Sequence, residues 1–316
     1  MKHDKEELAR LQALPLADKV TLSQTRVAEF YEHYGGKVCV SFSGGKDSTA
    51  LLHLVRGIYP DVRGVFCNTG LEYPEVFNHV LSFDNVDIIR PELSFQEVLE
   101  KYGWCYPTKD IAYKIYYARR GSAWALKAFH GLDKDGNFSE FKQGCKKWRY
   151  LIDSPFRISD KCCSIMKKRP MAKYRKENGM ALILGTMAAE SHLRRNGWLQ
   201  TGCNAFHSGK SQPLSFWTEQ DILAYIKAEG LKIPAVYGDI VDDGAGGLKC
   251  SGESRTGCVF CPVGVHLETG LNKFQRLERT HPKLHDYCMN RLGLKELLEF
   301  VGVDWRNRFE QQRLFK

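Results

Sequence analysis

No stretch of this 316-residue chain approaches the roughly twenty consecutive apolar residues that a membrane-crossing helix needs, so no such helix is expected. The opening residues, MKHDKEELARL, are charged and helix-like and have no apolar core of the kind a secretion signal carries; the expectation is a cytosolic protein. Internal repeats and low-complexity tracts are absent. The ten histidines contain no HExxH, and no histidine metal site is assigned. What is present is an ordinary globular composition, 43% hydrophobic and 26% charged, enough for one large domain or two modest ones. Eleven cysteines without a secretion signal read as thiols, metal ligands or redox groups rather than as a disulfide framework. Lysine plus arginine, 46, exceed aspartate plus glutamate, 37, for a formal charge of +9. That surplus suits a nucleotide or nucleic acid, or simply a solvated basic surface.

The first hundred residues alternate regularly. Helices are expected near 20–34, 47–58 and 73–82, and strands at 37–42, 62–67 and near 86–90, which predicts a parallel sheet with helices on both faces. Residues 94–158 read as a helical insertion rich in aromatic and basic side chains, with the turn LDKDGN at 132–137. The α/β pattern resumes at the apolar strand Ala181–Leu184. From Pro213 the character changes: PLSFWTEQDILAYI reads as a helix with Thr218 as N-cap and Asp221 three residues on, a reciprocal cap. The expected organisation is an N-terminal helical lead-in over 1–35, a nucleotide-binding α/β domain over 36–212 and a cysteine-containing, mostly helical region over 213–316.

The stretch SFSGGKDS, residues 41–48, lies between the apolar run Val38-Cys39-Val40 and the apolar-periodic TALLHLV. It is not a Walker loop, because Val40 stands where the first glycine belongs and Lys46 is followed by Asp47. Strand-to-helix context still makes it an anion site. Ser41, Ser43, Gly44 and Gly45 let backbone N–H groups close round an oxyanion, Lys46 and Asp47 open the helix, and Ser48 adds a hydroxyl.

SGGKDS in this position resembles the PP-loop of the adenine-nucleotide alpha-hydrolase-like superfamily. The resemblance implies a Rossmann-like fold, binding of the pyrophosphate of ATP or the corresponding anion of an adenine sulfonucleotide, and Mg2+. Four further stretches, NTGLEYPE, GTMAAESHLRR, PLSFWTEQDILAYI and IPAVYGDI, resemble the phosphoadenosine phosphosulfate (PAPS) reductase family in the same order. By that resemblance Asn68, Thr69, Gly70, Glu190 and Arg195 join the loop in nucleotide binding, with Glu72, Glu75 and Ser191 near the site. Asp47, Lys46 and Arg195 become the candidate catalytic residues. An arginine there can pair bidentately with phosphate or sulfate.

Cys162-Cys163 and Cys258-Val259-Phe260-Cys261 resemble the cluster-binding pattern of the iron–sulfur members of this family and imply a [4Fe-4S] cluster. Cys203 and Cys250 compete for any remaining ligand position, while Cys39, Cys67, Cys105, Cys145 and Cys288 read as core residues or ordinary thiols. One feature departs from the assimilatory reductases: there is no Glu-Cys-Gly and no cysteine in the tail DWRNRFEQQRLFK. The leading expectation is therefore ATP alpha/beta cleavage coupled to sulfur transfer onto a larger substrate. That acceptor would be a nucleic acid, or a sulfur-carrier protein would take part; the basic groups at 146–149 and 167–176 are its candidate contacts. The alternatives are a sulfonucleotide reductase using a non-tail thiol, Cys250 first, and a non-catalytic nucleotide-sensing or partner-binding module. The sequence gives no oligomeric state.

Overall fold

The computed structural model describes residues 3–306. In chain order the helices are α1 (Lys5–Gln12), α2 (Leu16–His33), α3 (Lys46–Arg56), α4 (Pro74–Leu81), α5 (Phe95–Tyr102), α6 (Lys109–Ala118), α7 (Ala123–Phe129) and α8 (Glu140–Lys146). They continue with α9 (Lys161–Cys163), α10 (Arg169–Asn178), α11 (His192–Thr201), α12 (Glu219–Ala228), α13 (Lys273–Thr280), α14 (Pro282–Asp286) and α15 (Leu294–Phe300). The strands are β1 (Val38–Ser41), β2 (Arg63–Cys67), β3 (Val86–Ile89), β4 (Ala181–Ile183), β5 (Asn204–Ala205), β6 (Lys210–Ser211), β7 (Ile240–Asp242) and β8 (Leu248–Cys250). Among the described residues no helix is long and apolar enough to cross a membrane.

Two compact units divide the chain, and their boundaries differ from the expected ones at 36 and 213. The first holds Met1–Pro91 and Lys167–Val259; the second holds Glu92–Met166 and Phe260–Lys316. The N-terminal lead-in and residues 213–259 thus fold with the α/β domain, and the helical insertion pairs with the C-terminal helices. Long-range packing decided this, and no local pattern announces it.

In the first unit six strands form one sheet in the order β3-β2-β1-β4-β6-β5. All neighbours run parallel except β5, which returns antiparallel to β6. Alternation along β1 shows why both faces are covered. Val38, Val40 and Phe42 enter the main core with Val27 and Phe30 of α2, Leu51 and Leu54 of α3, and Trp217 and Ile222 near α12. Cys39 points the other way, into a smaller core with Val65, Leu182 and Tyr174 of α10. Each such apolar side chain contributes about 1.5–3 kcal/mol on burial. The chain runs outward from β1 through β2 to β3 on one side and to β4 on the other. This reversal of strand order opens the crevice in which α/β sheets hold ligands.

The second unit is helical. Arg119 organises it: its guanidinium donates to the carbonyls of Leu151, Ile152, Ser154 and Phe156 at 2.6–2.9 Å, gathering the loop round one side chain. Gly103 has positive φ, and a Cβ there would run into the Arg157 backbone beside the Trp104–Ile158 bridge. Only glycine allows that approach.

Candidate nucleotide site

The SGGKDS loop joins β1 to α3 at the carboxyl edge of the sheet. Gly44 takes φ +73°, and a Cβ on it would stand 2.5 Å from Val80 Cγ2. A Cβ on Gly45 would stand 2.9 Å from the Tyr237 hydroxyl. That hydroxyl accepts the Lys46 N–H at 3.2 Å and pairs with Thr256 Oγ1 at 2.7 Å, so the loop is tied to the segment that leads into Cys258. Ser43 N–H donates to Ser48 Oγ at 3.2 Å, and Ser48 donates to the Gly45 carbonyl at 2.9 Å. The loop is preorganised by its own serines, with the α3 N-terminus beneath it.

A cavity of about 760 Å³ opens above it, within the size range of small-molecule sites. Ser41, Ser43, Gly45, Asp47 and Ser48 line its base, and Glu72 and Glu190 line its walls. Its cations are Lys167, Lys168, Arg175, Arg194, Lys210 and Arg255. Burial, and then the charge of Arg255, hold the Arg194 guanidinium below its ordinary pKa; Asp47 acts in the opposite sense. An anion bound beside these two guanidinium groups would offset that repulsion.

Lys46 faces a smaller adjoining cavity of about 80 Å³, with Glu190, Glu219 and Arg255. It is 3% exposed, 2.8 Å from Asp47 and 3.2 Å from Glu219. Burial alone would lower its pKa, but Asp47 and Glu219 outweigh burial and hold the ammonium above its usual value. Lys46 is a fixed cation beside the loop.

The remaining expected residues fall in several places. Asn68, Thr69 and Gly70 form the turn after β2, but they are not among the residues lining the main cavity. Their polar groups are turned on the turn itself: Asn68 Oδ1 accepts Gly70 N–H at 3.1 Å, and Glu72 accepts Thr69 Oγ1 at 2.7 Å and Thr69 N–H at 3.1 Å. Glu72 reaches the cavity in their stead, with Lys167 Nζ 3.5 Å away. Glu190 accepts Met187 N–H at 2.8 Å and pairs with Arg194. Both arginines are exposed, but Arg194 lines the cavity and Arg195 does not. The helical phase set by Ser191, which caps α11 by accepting Arg194 N–H at 3.3 Å, brings Arg194 to the cavity wall beside Glu190, where its side chain stays 42% exposed. Of the basic run at 167–176, Lys167, Lys168 and Arg175 serve this cavity, and Tyr174 is buried with its hydroxyl donating to Asp87 at 2.6 Å.

The thiols separate as well. Cys203 is packed against the main core, where Ser215 Oγ donates to its sulfur at 3.3 Å, and Cys250 lies on β8 within the field of Lys46, Glu219 and Asp47. In the second unit Cys162 hydrogen-bonds with Cys105 and with Cys163, while Cys163, Cys105 and Cys261 all raise the pKa of Lys109. Cys105 therefore belongs with these thiols, contrary to its reading as an ordinary one; GWCYPTKD carries no spacing that signals it. Cys258 falls in the first unit, within the field of Cys67, a cavity-wall thiol whose pKa burial and Glu72 push up to about 11. Among the described residues no group of three or more His, Cys, Asp or Glu side chains is arranged to hold a metal ion. The sequence reading also missed Tyr237 and Arg255, although IPAVYGDI and the three-residue spacing of Arg255 from Cys258 pointed near both.

The family model of the phosphoadenosine phosphosulfate reductase domain matches residues 37–113 and 127–263. The chain belongs to this family. An uncharacterized protein of Methanocaldococcus jannaschii is 23% identical over 299 residues, covering 89% of this chain and 54% of that protein. The present chain thus spans about half the length of that relative. An adenosine 5'-phosphosulfate reductase of Staphylococcus haemolyticus is 22% identical over 277 residues, covering 85% of this chain and 89% of that protein. A phosphoadenosine 5'-phosphosulfate reductase of Shigella flexneri is 25% identical over 255 residues, covering 76% of this chain and 84% of that protein. The PAPS reductase domain therefore takes in the SGGKDS loop, Arg194, Tyr237, Arg255 and the CxxC, and passes over residues 114–126.

Proposed function

We propose that this protein is a sulfonucleotide reductase-type enzyme: it binds adenylyl sulfate or its 3'-phosphorylated form in the cavity above the SGGKDS loop and transfers the sulfur to a thiol. The observation that carries this reading is the Arg194–Arg255 pair facing the loop across a cavity that also exposes a thiol, Cys67. Relatives named for both sulfonucleotides support it. The loop N–H groups and Ser48 would hold the nucleotide phosphate, and the arginines would neutralise the sulfate.

In this reading the attacking thiol is one of those near the loop. A thiolate adds to the sulfate sulfur, and the electron pair of the broken S–O bond leaves on the nucleotide phosphate. A second thiol then displaces sulfite, leaving a disulfide that an external dithiol reduces. Cys67, on the wall, and Cys250, beside Lys46, are the candidates. Burial raises both pKa values, while Lys167 lowers that of Cys67 and Lys46 lowers that of Cys250. Cys105, Cys162, Cys163 and Cys261 gather round Lys109 but are not arranged as a metal-binding group among the described residues, so a [4Fe-4S] cluster has no geometric support here.

Sulfite release from each sulfonucleotide, with a dithiol reductant and anaerobically prepared protein assayed for iron and sulfide, tests the proposal. Sulfite is expected, lost in Ser43→Ala and in at least one of Cys67→Ser and Cys250→Ser. ATP-dependent pyrophosphate release without sulfite would instead establish the adenylylating reading, and nucleotide binding without turnover would establish a sensing module.

A further inference from the structure

The second unit carries a surface that the nucleotide site leaves unused. Residues 120–150, leaving out the internally bonded Arg119, hold seven lysines and arginines against three acids, nearly half of the chain's formal +9. Aromatic rings stand out in water among these charges: Phe141 is 96% exposed and Phe138 73%, with Trp124 and Tyr150 also exposed. A folded protein gains nothing from leaving such rings bare unless something covers them.

These rings sit on a fixed platform. Asp133 Oδ1 accepts the N–H groups of Asp135, Gly136 and Asn137 at 2.8–2.9 Å, closing the turn. Leu132 and Phe138 form a β-bridge, and Gln143 Nε2 donates to the Gly131 and Ser139 carbonyls at 3.0 and 2.9 Å. The turn and the start of α8 therefore present Phe138 and Phe141 in a set geometry. Further along, Lys147 lies 5.1 Å above the Trp148 ring, whose centroid is 6.4 Å from that of Tyr150. Lys146, Lys147 and Arg149 are exposed beside them. Part of this segment, up to residue 126, is passed over by the family model.

We propose that this surface binds single-stranded nucleic acid. Positive charge tracks the phosphates, and exposed planar rings stack on unpaired bases, a combination that an acidic protein surface would use only for its charge. The inference does not depend on the reaction at the nucleotide site.

Fluorescence anisotropy of the full chain with a labelled twenty-nucleotide dT or U strand, titrated between 50 and 200 mM salt, tests it. With about four phosphates engaged, log affinity is expected to fall with log salt at a slope of about −3. Lys147→Glu/Arg149→Glu should flatten that slope, and Phe141→Ala should weaken binding about tenfold with the slope unchanged. Both changes lie at exposed positions, and circular dichroism confirms that the variants fold. Absence of binding to either strand at 50 mM salt would overturn the proposal. So would equal affinity for polyglutamate with no effect of Phe141→Ala, which would mark the surface as one for an acidic protein.

Discussion

At the scale of single residues, one step along a helix, about 100° of rotation, separates an arginine on the cavity wall from one off it. Arg194 lines the cavity and Arg195 does not, although GTMAAESHLRR offers both with equal claim. Arg194→Ala should weaken sulfonucleotide binding about tenfold to a hundredfold, the worth of a charge-assisted hydrogen bond of about 1.5–3 kcal/mol. Arg195→Ala should leave it within a factor of two or so, as for other exposed side chains without a partner in the site. Isothermal titration of both variants checks the pair, and the reverse order would remove Arg194 from the site. The SGGKDS loop was legible because its chemistry is local: glycines, a helix start and a hydroxyl all within eight residues. Arg255, Tyr237, Cys67 and Cys105 were not, since each acquires its role from a neighbour far away in sequence.

Among elements, a buried ion pair joins α2 to α12. Lys19, 2% exposed, donates to Asp221 at 2.7 Å and to the Gln12 carbonyl at 2.7 Å, while Asp221 also accepts Thr218 N–H at 2.7 Å in the helix cap. The expected reciprocal cap at Thr218 and Asp221 is present, but the lysine that shares its carboxylate comes from two hundred residues earlier and leaves no trace in the local pattern. Lys19→Met should cost about 1–3 kcal/mol by removing the charged partner of a largely buried carboxylate that keeps its cap bonds to Thr218. Lys19→Met/Asp221→Leu should recover much of that loss despite sacrificing the cap. Urea unfolding measures both, and a double variant no better than the single would show that the cap dominates. Expected strands and helices over the first ninety residues coincide with β1–β3 and α2–α4 to within a few residues, because hydrophobic period and turn chemistry act over short range.

For the whole molecule, acid sensitivity follows from its histidines. Burial lowers the pKa of His79 in the first unit, and burial first and the Lys147 charge second lower that of His266 in the second unit. Burial also lowers that of His285, against the opposing pull of Glu278. A histidine whose folded pKa lies below the unfolded value of about 6.5 binds fewer protons when folded, so stability falls as pH drops through and below that value. Urea midpoints should therefore be lower at pH 5.5 than at pH 7.5, and His79→Gln should reduce the difference for the first unit. An unchanged difference would show that His79 does not contribute. The helical insertion was legible near residues 94–158 from its aromatic and basic composition, but its pairing with the C-terminal helices was not, since that joins two segments far apart in sequence.

The bond from the Tyr237 hydroxyl to both Lys46 N–H and Thr256 links the anion loop to the thiol segment two residues before Cys258. Such a link carries information in both directions, because binding free energies are reciprocal. If filling the loop alters how readily Cys258 reacts, then modifying Cys258 must alter nucleotide affinity by the same factor. The redox state of that thiol would then set the occupancy of the cavity without touching the nucleotide.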